Sequence, residues 1–510
     1  MAIASCAPQQ NTAFSKLITL KNGQIEGFYE ESSDLHLFLG VPYAQPPVAD
    51  FRWKAPQPLS SWSGIKETKK FGNRPVQKKI WDDIIFRSEN QSEDCLYLNV
   101  WTPAKATTDR LPVLVYFHGG GLFVGSGDEG RYDGASIAKE GIVVVTVNYR
   151  LNLFGYFAHP ELSLEAEYGS SGNYGFLDQV ASLEWISENI SAFGGDPTKV
   201  TIAGESAGSV SVSSLITSPL SKHLVAGAIG QSGAATPPTM TPVPLPQAEK
   251  EGQEFAKQFG YDSLAQLRAL STEEVFGLFV ESGKWGFNTV YDDYFYPKPL
   301  LDVYDQKEQA DIPLMAGWTS AERPGQGMLT GDGDLKTNFQ TSVKNIFPEN
   351  WKEILSKYPT GSDDEITQSA TQFASDNFIV YSTWKWADIH NKNGNAPVYR
   401  YVFDQVRPTD QLLLGAPHAS DIEYLLGNLH LVKLFDWRKE DYMVSEIALN
   451  HLANFIKTGN PNGPNVPEWP SLSKNGGESQ VMRWDTDSKS ESPQNDARFK
   501  ALEKAYNQNK

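Results

Sequence analysis

The segment Gly204-Glu205-Ser206-Ala207-Gly208 follows the β-branched run Val200-Thr201-Ile202 and precedes small residues suited to a helix start. A serine on such a strand-to-helix turn is held in a strained backbone with its hydroxyl pushed outward, and the flanking glycines let strand and helix approach closely. His118-Gly119-Gly120-Gly121 follows the apolar run Leu111–Phe117, upstream of the serine. A glycine loop there can turn main-chain N–H groups toward a developing oxyanion. Together the two patterns point to acyl transfer through a serine nucleophile.

A serine hydroxyl near neutral pH needs a base to take its proton and a third group to fix that base. The chain order expected for this elbow is nucleophile, acid, histidine, which leaves His223, His390, His418, His430 and His451. His418 lies in the loop Gly415-Ala-Pro-His-Ala-Ser-Asp421 after the strand-like run Val398–Phe403, whereas the others fall in helical stretches or polar turns. Glu322 is the first carboxylate after the run Ile312–Trp318, in Thr319-Ser-Ala-Glu-Arg-Pro. A surface pairing of Glu322 with Arg323 is the competing reading, and local spacing leaves it open.

Residues that must meet in one site therefore stretch from His118 to His418, so most of the 510 residues form one catalytic unit. The expected division is a lead over 1–14 and a single domain over 15–510, with insertions at about 234–312 and 330–396 that cap the sheet and shape a pocket. Continuous apolar runs at Leu96–Val100, Val113–Phe117, Ile142–Val147, Val200–Ala203, Ala226–Gln231, Pro313–Ala316 and Val398–Phe403 predict a mostly parallel sheet buried on both faces. Leu17–Leu20, Gly23–Phe28 and Leu35–Leu39 predict a small antiparallel edge at the N-terminal side. Leu177–Glu188 predicts an amphipathic helix with Trp185 inward.

Hydrophobic residues make up 40% and aromatics 12%, with 13 Trp, enough for a large core and an aromatic pocket. A formal charge of -18 argues against nucleic acid as a partner. No run reaches the roughly 18 apolar residues that span a bilayer. Two cysteines, Cys6 and Cys95, exclude a disulfide framework and a cysteine metal site, though one Cys6–Cys95 pair is possible. Met1-Ala-Ile-Ala-Ser-Cys6 resembles the processing site of a bacterial lipoprotein. Extracytoplasmic placement, periplasmic or lipid-anchored through Cys6, is one expectation and a cytoplasmic protein with a chance cysteine is the other. A monomer without metal or cofactor, acting on a small-molecule ester, is expected.

Gly125-Ser-Gly-Asp-Glu-Gly130 matches a dinucleotide fingerprint formally, but it is not placed between a strand and a helix opening a βαβ unit. His418 and Asp421 lack a third residue spaced to complete a metal site. Glu205, Leu122, Phe123, Trp318 and Leu413 are the expected pocket residues. Glu205 either attracts a cationic alcohol group or, as the favoured reading, hydrogen-bonds buried water.

Further segments carry a specific resemblance: Gly40-Val-Pro-Tyr-Ala, Phe51-Arg-Trp, Ser92-Glu-Asp-Cys-Leu-Tyr-Leu-Asn-Val-Trp-Thr-Pro103, Asn148-Tyr-Arg150, Gly172–Gln179 and Phe193-Gly-Gly-Asp-Pro197. From about residue 17 onward the chain resembles the type B carboxylesterases, the α/β-hydrolase family that includes bacterial para-nitrobenzyl esterases and the cholinesterases. The resemblance implies an α/β-hydrolase fold with Ser206 as nucleophile, Glu322 as acid and His418 as base. It implies an oxyanion hole made by the N–H groups of Gly120, Gly121 and Ala207. Buried structural ion pairs Arg52–Glu93 and Arg150–Asp178 are implied as well. Non-catalytic adhesion proteins share this fold, so a binding protein is the alternative function. Two features depart from the family pattern. The region Asn73–Gln77 lacks the usual cysteine partner for Cys95, which predicts a more mobile loop, and the segment around Glu322 lacks the common Asp-Glu-Gly run.

Overall fold

The computed structural model describes residues 14–473, 479–493 and 496–508. The Met1–Cys6 segment and nearly all of the expected lead lie outside the described residues. Among the described residues eleven strands form the main sheet: β1 (Phe28–Glu30), β2 (Leu35–Pro42), β3 (Tyr97–Thr102), β4 (Leu111–Phe117), β5 (Val143–Val147), β6 (Gly195–Glu205), β7 (Gly227–Gln231), β8 (Leu314–Thr319), β9 (Val398–Phe403), β10 (Val481–Trp484) and β11 (Lys489–Glu491). Their spatial order is β11-β10-β9-β8-β7-β6-β4-β5-β3-β2-β1. From β5 through β10 the neighbours run parallel, and the antiparallel pairs lie toward the two edges. This is the α/β-hydrolase arrangement.

The period of two in a strand explains why the apolar runs are unbroken. In β4, Val113, Val115 and Phe117 join one apolar layer while Leu114 and Tyr116 join the layer on the opposite face. Val143, Val145 and Val147 of β5 divide from Val144 in the same way. Each such fully buried side chain contributes about 1.5–3 kcal/mol. The expected strands therefore appear with ends shifted by a few residues, and β6 extends well beyond Val200–Ala203 at its N-terminal end.

The N-terminal edge divides in two. Leu17–Leu20 pairs antiparallel with Gly23–Glu26, which pairs with Ile65–Glu67 in a separate small sheet, whereas β1 and β2 extend the main one. The two C-terminal strands escape a pattern search because they are very short and follow a polar stretch.

The expected helix spans Tyr174–Asn189, with Trp185 buried. Its Asp178 accepts from Arg150 Nε and Nη2 at 2.8 and 2.7 Å and from the Arg150 backbone N–H at 3.0 Å. Arg52 pairs with Glu93 at 2.6 Å, also buried. Removing one partner leaves an uncompensated buried charge. Asp178→Ala is therefore expected to lower unfolding stability by about 3–5 kcal/mol, measurable by denaturant titration; a loss within experimental error would show the pair to be dispensable.

Cys95 is a buried thiol with no disulfide partner among the described residues, and desolvation pushes it well up. Where a disulfide was missing, hydrogen bonds anchor the 73–77 loop. Asn148 Nδ2 donates to the Asn73 carbonyl (3.2 Å) and Asn152 Nδ2 to the Val76 carbonyl (2.8 Å). Gln77 forms two bonds with the Gly125 backbone, at 2.9 and 2.7 Å.

Candidate active site

Ser206 ends the turn between β6 and the helix Ala207–Leu215, with φ 55° and ψ -119°. A non-glycine residue at positive φ costs on the order of 1–3 kcal/mol and persists only where neighbours fix it. Here the Ser206 N–H donates to the Gln231 carbonyl of β7 (2.8 Å), and the Ser206 carbonyl accepts from Val210 N–H (2.9 Å). The turn also needs contact between helix and strand. A Cβ on Gly208 would lie 2.1 Å from the Phe117 carbonyl, so only glycine fits there.

Glu322 and His418 come from loops after β8 and β9, and those loops are stitched together. The Ala321 N–H donates to the Ala416 carbonyl (2.9 Å), and the Ala416 N–H donates to Ser320 Oγ (2.8 Å). Glu322 Oε1 accepts from the Ser232 hydroxyl at 2.5 Å and from the Thr319 N–H at 2.7 Å. Its other oxygen lies 2.5 Å from His418 Nδ1, and His418 Nε2 lies 2.9 Å from Ser206 Oγ. The three side chains expected to act together meet in one continuous hydrogen-bond chain. Glu322 is buried and bonds to His418 rather than Arg323. His390 and His451 sit inside helices, where each reaches a backbone carbonyl.

Beside the serine, Gly120 and Gly121 take φ values of 100° and 65°. As the first residue of its helix, Ala207 has no intrahelical acceptor for its N–H. The glycine loop is held from behind: Tyr149 OH donates to the His118 carbonyl (2.6 Å) while its ring stacks on His118, and Gln77 grips Gly125. Ser206, Glu322, His418, Gly120, Gly121 and Ala207 all line a cleft of about 530 Å³, a volume suited to a small organic molecule. Among the described residues no cluster of His, Cys, Asp and Glu is arranged to hold a metal, and no helix is long and apolar enough to cross a membrane.

A model of the carboxylesterase family matches residues 15–502. The chain belongs to the carboxylesterase family. It is 35% identical to human carboxylesterase 5A, covering 86% of this chain and 80% of that protein, and 33% identical to pig liver carboxylesterase, covering 87% and 85%. Among solved structures it is similar to the Geobacillus stearothermophilus carboxylesterase, with a TM-score of 0.83 and 28% identity over 95% of this chain and 99% of that one. A PNB esterase matches with a TM-score of 0.80 at 27% identity, over 96% and 99%. The protein is a carboxylic ester hydrolase.

The pocket walls of this carboxylesterase differ in part from expectation. Glu205 and Phe123 line the cleft, but Leu122, Trp318 and Leu413 do not. Leu122 faces the core with φ 66°, and its carbonyl accepts from the Asn152 N–H (2.8 Å). Trp318 points away from the serine to pack edge-on against Phe499 at 5.7 Å. Leu413 sits between the exposed Leu412 and Leu414, and only the Pro417–Ala419 end of that loop reaches the cleft. Trp81, Ile84, Met240, Phe378 and Ile379 provide walls instead. They come from loops and from the π-helical turn Asp376–Val380 that joins the helices Asp363–Ser375 and Tyr381–Asn393, where the wider winding breaks the 3.6-residue period. The Gly125–Gly130 segment has its first amides engaged by Gln77, Glu129 and Asn148, so it offers no phosphate cradle.

Glu205 lies beside the imidazole, with Oε1 3.2 Å from His418 Nε2. Desolvation is the larger influence and pushes its carboxyl up to about 8, against the opposing pull of His418. Desolvation disfavours the His418 imidazolium, but the charges of Glu205 and Glu322 outweigh it and lift the ring to about 9.

Proposed function

We propose that Ser206 is the nucleophile, His418 the general base and acid, and Glu322 the group that orients and stabilises the imidazolium. Ser206 Oγ attacks the ester carbonyl carbon as His418 Nε2 takes its proton. The carbonyl oxygen becomes an oxyanion facing the N–H groups of Gly120, Gly121 and Ala207. Collapse breaks the bond to the alcohol oxygen, which leaves with the proton from Nε2, and the acyl group stays on Ser206. Water, deprotonated by the same nitrogen, attacks that acyl-enzyme, and collapse releases the carboxylic acid and restores the serine hydroxyl. The observation that carries this reading is the unbroken contact Ser206–His418–Glu322 at 2.9 and 2.5 Å, opening on a largely apolar cleft. Trp81, Ile84, Phe123, Met240 and Phe378 favour an uncharged ester with apolar groups around the scissile bond. No observation favours the non-catalytic alternative, and Ser206, His418 and Glu322 are all present and in contact.

The test is the pH dependence of kcat/KM on a short-chain aryl ester. Catalysis needs neutral His418, and the adjacent carboxylates favour its protonated form. The proton must therefore come off above the ordinary histidine value of 6.5, and activity rises with pH through a limb on the alkaline side of it. Because Glu205 and His418 are in contact, the limb belongs to the pair. Glu205→Gln removes one charge favouring the imidazolium and is expected to move the limb to lower pH. A wild-type profile that is flat from pH 5 to 9 contradicts the assigned roles, and a limb that does not move in the variant contradicts the coupling of Glu205 to His418.

A further inference from the structure

A second cavity of about 370 Å³ adjoins the catalytic cleft, and Phe123 lines both. The Phe123 ring packs on the glycine loop, where a Cβ on Gly121 would meet its Cε1 at 2.2 Å. It lies 5.7 Å from Trp81, which lines the catalytic cleft, and 5.9 Å from Trp285, which lines the second cavity. The three rings form a continuous row leading from Ser206 into the second cavity. Trp285 is 65% exposed and Trp81 42% exposed. Large aromatic surface left in water in one cluster marks a contact site rather than core.

The charge of this cavity runs against that of the chain. Acidic residues outnumber basic ones by 62 to 44, yet the charged side chains lining the cavity are Lys78, Lys79 and Lys284. Lys284 is paired with Glu251 at 2.7 Å. Lys78 and Lys79 are exposed and have no ion-pair partner among the described residues. The nearby Asp83 is engaged at 3.4 Å by Arg131. The wall is set from below by the buried Asn152, whose Nδ2 donates to the Phe123 and Val76 carbonyls.

Resting on the serine esterase reading above, we infer that the second cavity is a substrate subsite for esters that carry a carboxylate at the end remote from the scissile bond, joined to it by an aromatic spacer. The spacer lies along Trp81, Phe123 and Trp285, and the carboxylate meets the ammonium groups of Lys78 and Lys79. An uncharged ester gains only the apolar contact.

The test uses matched probes with a para-carboxyphenyl or a para-carbamoylphenyl end, placed either on the acyl side (ethyl phenylpropanoate derivatives) or on the alcohol side (phenethyl acetate derivatives). Wild-type kcat/KM is expected to favour the carboxylate over the carbamoyl probe in at least one pair, by about five- to tenfold at low salt. The preference shrinks as ionic strength rises, because exposed charge pairs are screened. Lys78→Gln/Lys79→Gln brings the ratio to about one, and Lys78→Arg/Lys79→Arg retains it. The ratio cancels any general loss of activity. Binding of the same probes to Ser206→Ala, read by tryptophan fluorescence, reports on the cavity without chemistry, so a failure of the subsite is distinguishable from a failure of the nucleophile assignment. A ratio near one in both wild-type pairs, or a preference that survives the double glutamine variant, overturns the inference.

Discussion

Replacing Ser206 by alanine is expected to lower kcat on a short-chain aryl ester by on the order of 10⁵-fold or more, close to the loss from removing a whole triad. The other group that meets His418 Nε2 is the Glu205 carboxyl, at 3.2 Å beside the 2.9 Å contact to Ser206 Oγ, and a carboxyl is a poor substitute for an activated hydroxyl. What remains is the catalysis supplied by the oxyanion donors and by binding. The substitution removes one oxygen from a turn whose backbone is held by Gln231 and Val210, so the fold is expected to persist. Steady-state rates beside a circular dichroism melt measure both. Equal rates in wild type and variant would remove the serine from the chemistry.

Glu322→Gln is expected to lower kcat by about 10⁴-fold with little change in KM. The amide keeps the shape of the carboxyl but not its charge, so it no longer stabilises the imidazolium. Its oxygens now accept from Ser232, Thr319 and His418. An amide that keeps the first two bonds through its oxygen turns its NH₂ toward Nδ1, which places the ring proton on Nε2 and leaves no base facing Ser206. A loss of less than tenfold would make Glu322 a bystander to the chemistry.

How much of this was legible in the sequence depended on the physical origin of each feature. The strands of the parallel core were readable because a strand buried on both faces must be apolar throughout, as β4 and β5 are. The short strands Val481–Trp484 and Lys489–Glu491 were not, since a few residues at a sheet edge carry too little pattern. Ser206 and the glycine loop were legible because strained turns and close approaches allow few residue types. His418 and Glu322 followed from their place after strands. The cleft walls were the weak point: Trp318 is apolar and next to the acid loop, yet strand alternation turns it toward Phe499, while Phe378 and Met240 arrive from insertions far along the chain. Ser232, which fixes Glu322, carries no signal beyond its position one residue after β7.

The roles assigned to Ser206 and its neighbours are tested most directly by stoichiometric labelling with a fluorophosphonate, followed by intact mass and peptide mapping. One phosphonyl group per chain on Ser206, with activity lost in proportion to labelling and labelling slowed in Glu322→Gln, is the expected result. Label on any other residue, or full esterase activity remaining after Ser206 is completely modified, would contradict it.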